Sequence, residues 1–313
     1  MGSGHWSTDV YEAARAFRDA IGADAFAYTA SGAATTHPAL DPFGVAVRES
    51  RDSAEHPESL AIAVLFDVTG SMGTVPRVLQ AKLPSLLGLL LRKGYVEHPQ
   101  IMFGAVGDAT CDRAPLQIGQ FESDNRMDDD LARILLEGGG GGQMMESYEL
   151  AMYFMARHTA LDCLEKRGRR GYLFMIGDEL AYPRVDRRLV AKVLGDELAE
   201  DIPIERIVAE LRRKYEVFFI IPEDGYHAAD PRLRDFWRRL LGQNVLFLDD
   251  LGAVSETIAL TIGLSERAID LAEGLEHLSE VGSEAGGSVS RALAPLDVRP
   301  VVRPGRGGHT RLR

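Results

Sequence analysis

Two cysteines, Cys111 and Cys163, are all that 313 residues contain. That excludes a disulfide scaffold and a cysteine-rich zinc cluster, and reduced thiols are the expected state. Long apolar runs are missing too. The longest, such as Leu86 to Leu91, fall far short of the ~20 residues a bilayer span needs. Met1-Gly2-Ser3-Gly4-His5 leads into no signal-peptide core, so a cytoplasmic location is expected, with no membrane partner. Positive charge is short: 35 Lys and Arg stand against 47 Asp and Glu, a formal net charge of -12. An acidic surface disfavours nucleic acid as a partner and agrees with a cation site. No repeat of solenoid period occurs. Nor is there a locally supported Ser/His/Asp set or Cys/His pair for nucleophilic catalysis.

Hydrophobic residues make up 45% of the chain, enough to bury a sizeable core. The most informative stretch is Ala61-Ile62-Ala63-Val64-Leu65-Phe66 followed by Asp67-Val68-Thr69-Gly70-Ser71-Met72. Six apolar residues in a row suit a strand buried on both faces of a parallel sheet. The run stops at a carboxylate, two hydroxyls and a glycine. In open α/β sheets the ligand crevice lies beyond the carboxyl ends of the strands, so Asp67, Thr69 and Ser71 are expected to project into it together. Hard oxygens at alternate positions suit a hard cation such as Mg2+ or Mn2+.

Asp67-Val68-Thr69-Gly70-Ser71 resembles the Asp-x-Ser/Thr-x-Ser signature of von Willebrand factor A domains, whose metal-ion-dependent adhesion site opens with those residues. Two further pieces follow from the resemblance. One is a glycine-flanked hydroxyl loop. Gly138-Gly139-Gly140-Gly141-Gly142 stands in its place, with Gln143 where the family carries Thr. A Gln amide oxygen is a weaker ligand but an acceptable one, with Glu146 and Ser147 as substitutes close by. The other piece is an Asp at the end of a later strand. Tyr172-Leu173-Phe174-Met175-Ile176-Gly177-Asp178-Glu179 provides it as Asp178, with Gly177 in place of the preceding Thr. The resemblance thus implies a metal set of Asp67, Thr69, Ser71, Gln143 and Asp178.

Alternating apolar strands and helical patterns predict an α/β fold, a doubly wound, mostly parallel Rossmann-like sheet with helices on both faces, over about residues 60–265. Ahead of it, residues 1–59 read as a helix from Asp9 to Ile21, docking through Val10, Ala13, Ala14, Phe17, Ala20 and Ile21, and then an irregular arm. Val75 to Lys93 reads as one long helix bent at Pro84, and Tyr148 to Glu165 as another. Ile101 to Val106 is a strand, and Leu116 to Phe121 its hairpin partner at a sheet edge. A further helix is expected within 266–284, then a disordered Arg/Gly/Pro-rich tail over 285–313.

Other polar groups carry plainer readings. His37, Asp41 and Glu49 read as solvated or capping residues, and Asp128-Asp129-Asp130 as a helix start, since neighbours ~100° apart around a helix cannot converge on one ion. Asp108 reads as a turn former and Glu179 as a helix-starting acid. Asp224, Tyr226 and His227 read as a surface loop near the crevice rim.

The leading functional expectation is a divalent-metal-dependent protein–protein interaction module. Mg2+ insists on six near-octahedral ligands, and a partner's acidic residue can supply one the chain does not. Intracellular members of the family often work with AAA+ ATPases or chaperone-like machines, so the resemblance implies a partner of that kind. The alternative is a metal-dependent phosphohydrolase using the same crevice. In haloacid-dehalogenase phosphatases an Asp two residues after the nucleophile acts as general acid, whereas here that position is Thr69, which leaves an enzymatic reading without its acid.

Overall fold

The computed structural model describes residues 4–72, 74–138 and 144–296. At its centre lies a six-stranded sheet of β1 (Leu60–Asp67), β2 (Pro99–Val106), β3 (Leu116–Ile118), β4 (Gly171–Ile176), β5 (Tyr215–Pro222) and β6 (Val245–Leu248). Their spatial order is β6-β5-β4-β1-β2-β3. All neighbours run parallel except β3, which pairs antiparallel with β2 at the edge. Every residue of β1 and β2 is buried, which is why β1 reads as an unbroken apolar run.

The order places the crevice. From β1 the chain proceeds to β2 on one side, and β4 is later laid down on the other, so the strand order reverses between β1 and β4. Ligands of open α/β sheets bind at such a reversal, outside the carboxyl ends of the strands. Phe66 pairs with Ile176 across it. Asp67 and Gly177-Asp178 therefore leave the sheet side by side.

The helices include α1 (Thr8–Ile21), α2 (Val75–Ala81), α3 (Leu83–Leu87), α4 (Arg126–Ala132), α5 (Tyr148–Arg157), α6 (Asp162–Arg167), α7 (Arg187–Val193), α8 (Ile204–Leu211), α9 (Pro231–Leu241), α10 (Val254–Ser265), α11 (Leu271–Glu280) and α12 (Gly286–Leu293). Among the described residues no helix is long and apolar enough to cross a membrane.

Several elements differ from the sequence reading. The long helix after β1 is three pieces, α2, α3 and a π-helical turn over Gly88–Arg92, because Pro84 lacks an N–H and restricts the residue before it. The helix expected over Tyr148 to Glu165 stops at Arg157. A short strand, Thr159–Leu161, then pairs parallel with Arg48–Ser50 before α6 begins. The Thr159 hydroxyl donates to the Met155 carbonyl at 2.6 Å, helping to end the helix.

Two corrections concern the termini. Helix α1 is held not by its Val10/Phe17/Ile21 face, which is exposed, but by Tyr11 and Arg18. Tyr11 is 1% exposed and its hydroxyl donates to the Gln80 carbonyl at 2.8 Å. Arg18 pairs with Asp128 at 2.8 Å. Of the tail expected to be disordered over 285–313, residues 297–313 lie outside the described residues, and the part before them carries α12 instead. Val289, Ala292 and Leu293 recur at the spacing of one helical face and are buried. Its Arg291 and Ser288 bind Asp249, just beyond β6.

The arm before β1 closes one edge of the sheet. On β3 the Ile118 N–H donates to Leu40 O at 2.8 Å, and the Ile118 carbonyl accepts from Arg48 Nη2 at 3.0 Å. His37 Nδ1 accepts from the Ala39 N–H, Asp41 caps the Phe43 N–H and Glu49 pairs with Arg51, all local roles.

Candidate metal centre

Where β1 ends, the chain turns sharply and its side chains bond to its own backbone. Asp67 Oδ1 accepts from the Thr69 N–H at 2.7 Å and from the Thr69 hydroxyl at 2.6 Å. The same turn recurs after β2. Asp108 accepts from the Thr110 N–H at 2.9 Å and from its hydroxyl at 2.7 Å, the turn-forming role read from the sequence. Ser71 lies in the 3-10 turn Gly70–Met72, directly after the Asp67 turn. Gln143 lies outside the described residues.

Asp67 is fully buried and its other oxygen faces Tyr148, whose hydroxyl donates to Oδ2 at 3.3 Å. Tyr148 opens α5, and its ring meets Phe219 and Trp237 edge-on at 5.2 and 5.5 Å. Phe219 and Trp237 are themselves stacked at 3.6 Å. Glycine stands at position 177 for a visible reason. A Cβ there would stand 1.8 Å from the Tyr148 hydroxyl, so only glycine lets the phenol reach Asp67.

Asp178 is also fully buried and accepts from the His227 N–H at 3.1 Å. The loop carrying that N–H closes down on the carboxylate, since a Cβ at Gly225 would lie 2.7 Å from the Asp178 Cβ. His227 and Gly225 thus position Asp178, whereas Tyr226 stays 83% exposed. Nothing in a single sequence marks Gly225 or Tyr148, because both act through space on strands far away in the chain.

Two more carboxylates line the cluster. Glu146 pairs in register with Ala181 in a short parallel bridge, so Glu146 and Glu179 fall on the same side of it by strand alternation. Glu179 does not start a helix, contrary to the sequence reading. It is 8% exposed, ahead of the strand Leu180–Ala181, and its backbone carbonyl accepts the Trp237 indole N–H at 2.9 Å. Among the described residues, Glu146 Oε2 and Glu179 Oε2 are both buried without a hydrogen-bond partner. Ser147 is engaged elsewhere, accepting from the Ala109 N–H at 2.9 Å.

The electrostatics follow from burial among like charges. Burial pushes the Asp67 carboxyl up to about 7, against the lowering effect of the Thr69 hydrogen bonds, and Asp178 pushes it the same way. Burial raises Glu146 to about 10, and Asp67, Glu179, Asp112 and Asp108 all add to it. Burial and the charges of Asp67 and Asp178 raise Glu179 to about 8. A hard divalent cation fits such a site: the donors are oxygens, two glutamate oxygens lack partners among the described residues, and the carboxylates repel one another. Among the described residues no three His, Cys, Asp or Glu side chains already form a metal cage, and a set with two aspartates and hydroxyls does not require one. By contrast, the Asp128 run is held by Gln80, Arg18 and, through Asp130, Arg133, as expected for a helix start.

Fold and site together define an α/β protein with an acidic crevice at the reversal of its strand order. No family model matches the sequence, and no curated protein does either. Among solved structures, the chain is similar to the pilus adhesin SpaC from Lactobacillus rhamnosus GG, with 9% identity and a TM-score of 0.46 over 70% of this chain and 31% of the adhesin. It is also similar to proximal thread matrix protein 1 from the mussel byssus, with 11% identity and a TM-score of 0.41 over 65% of this chain and 47% of that one. The chain thus spans less than half the length of either.

Proposed function

We propose that the chain is a von Willebrand factor A-type module with a doubly wound sheet, and that it binds a protein partner through a divalent cation, Mg2+ or Mn2+. Asp67, Thr69, Ser71 and Asp178 would hold the ion, with Gln143 as the family Thr's replacement. The observation that carries this reading is the reversal of strand order between β1 and β4, which puts Asp67 and Asp178 at one crevice.

Coordination number supports a carboxylate as the partner's contribution. Burial raises Glu146 to about 10 and Glu179 to about 8, which favours their uncharged forms while no cation is bound. Two aspartates and two hydroxyls would leave Mg2+ short of its six ligands, a place a partner's carboxylate can take. The ion supplies the attraction; Thr69 and Tyr148 orient Asp67, and His227 orients Asp178. An intracellular assembly with an AAA+ ATPase or chaperone-like machine is the partner class we propose.

Calorimetry with Mg2+ and Mn2+ on the protein and on Asp67→Ala, with a p-nitrophenyl phosphate screen beside it, tests the reading. Binding lost in the variant, no turnover, and chelator-sensitive capture of a partner are the expected results. Metal-dependent turnover would favour a phosphohydrolase instead, and absence of binding in both proteins would remove the metal from the account.

A further inference from the structure

We propose that the opposite end of the sheet carries a second, chemically different metal site, for a borderline ion such as Zn2+, held by His56 and His98 with His5 as the third ligand. His56 precedes β1 and His98 immediately precedes β2, so both lie at the amino ends of the strands. Asp67 ends β1 seven residues beyond Leu60, roughly 20 Å away at ~3.3 Å per residue. The two sites share no residue.

The tautomer of His56 is fixed by its surroundings. Its ring is buried, 4% exposed, and Nε2 lies 2.7 Å from the Gly4 carbonyl, which can only accept. Nε2 therefore carries the proton, and in the neutral ring Nδ1 presents a lone pair. That Nδ1 faces Nδ1 of His98 at 3.4 Å. The separation is long for an N–H···N hydrogen bond. It matches the ~3.3–3.4 Å expected between two nitrogens that each lie ~2.0–2.1 Å from one tetrahedral ion. The His56 ring thus directs its outer nitrogen at a carbonyl oxygen, the arrangement that orients metal-binding histidines.

His5 completes the set. Its ring stands edge-on to His56 with centroids 4.7 Å apart, and it is exposed. The three rings do not already converge on one point. The third ligand swings in on binding, and water fills the fourth position. Imidazole nitrogens suit zinc, copper or nickel over the magnesium that suits the oxygen-lined crevice. Ser123 Oγ also donates to the Gly4 carbonyl at 2.8 Å, so an ion here would pin the chain's first described residues to the body.

The test is titration of the full chain with Zn2+ in excess Mg2+. One site is expected, weakened at least ~tenfold in His98→Gln and several-fold in His5→Ala, while Mg2+ binding by His98→Gln is unchanged. Substoichiometric Cu2+ added to the unmodified protein should broaden the imidazole proton signals of His56 and His98 first, a readout that does not depend on a variant folding. Zinc affinity equal in the protein and in His98→Gln, no zinc binding at all, or broadening that spares these two rings would overturn the proposal.

Discussion

Binding of Mg2+ at the crevice should release protons and strengthen with pH. Burial holds Asp67 at about 7 rather than its ordinary 3.8. A cation takes the ionised form, so metal and proton compete for the same oxygens. Between about pH 6 and about pH 8 the ionised fraction of Asp67 rises from ~0.1 to ~0.9, which makes the apparent affinity ~tenfold tighter, or ~1.4 kcal/mol. Calorimetry in buffers of different ionisation enthalpy should count ~0.9 proton released per ion at about pH 6 and ~0.1 at about pH 8. The metal-free protein should behave oppositely. A carboxyl whose folded value is raised stabilises fully below its unfolded value, and that contribution is lost as pH rises through the folded one. The interval from 3.8 to about 7 corresponds to ~4 kcal/mol for Asp67, lost by about pH 8 in chelator and restored by Mg2+. An affinity flat across this range, with no proton released, would refute the placement of the ion on Asp67.

Gly177→Ala should push the Tyr148 ring out of its slot against Phe219 and Trp237, destabilising by ~1–3 kcal/mol, measured by urea unfolding. Adding Tyr148→Phe to it should recover part of the loss, and a strictly additive double variant would show the clash is not the cause. Trp237→Ala should cost ~3–5 kcal/mol in thermal or denaturant unfolding, because the ring is fully buried, stacked on Phe219 and bonded to the Glu179 carbonyl. Val289→Asp should place an unpaired charge where α12 meets the body and cost at least ~2 kcal/mol; a loss under ~0.5 kcal/mol would mean α12 is dispensable.

The central strands and the crevice carboxylates were legible because a doubly buried parallel strand must be apolar throughout and its end is marked by the first charge. Asp67 and Asp178 stand out for that reason. Tyr148 and Gly225 do not, since their roles depend on which strands lie side by side. The face of α1 was misread because period alone cannot tell which stripe finds a partner, and here one phenol and one guanidinium, meeting Gln80 and Asp128, outweigh an alanine-rich stripe. Helix α12 was hidden by glycine and serine around a three-residue apolar spacing too short to rise above composition.

An open sheet offers a stranger two ways in: across the tips of its strands, or alongside its flank as an extra strand. On the β3 flank the second way is obstructed at Ile118. The outward N–H and carbonyl of Ile118 are taken by Leu40 and Arg48. A segment that contributes no strand of its own to this sheet thereby acts as its selvedge, sparing the β3 side from edge-to-edge aggregation. A visitor on that side meets the strand tips, where side chains rather than backbone groups are on offer.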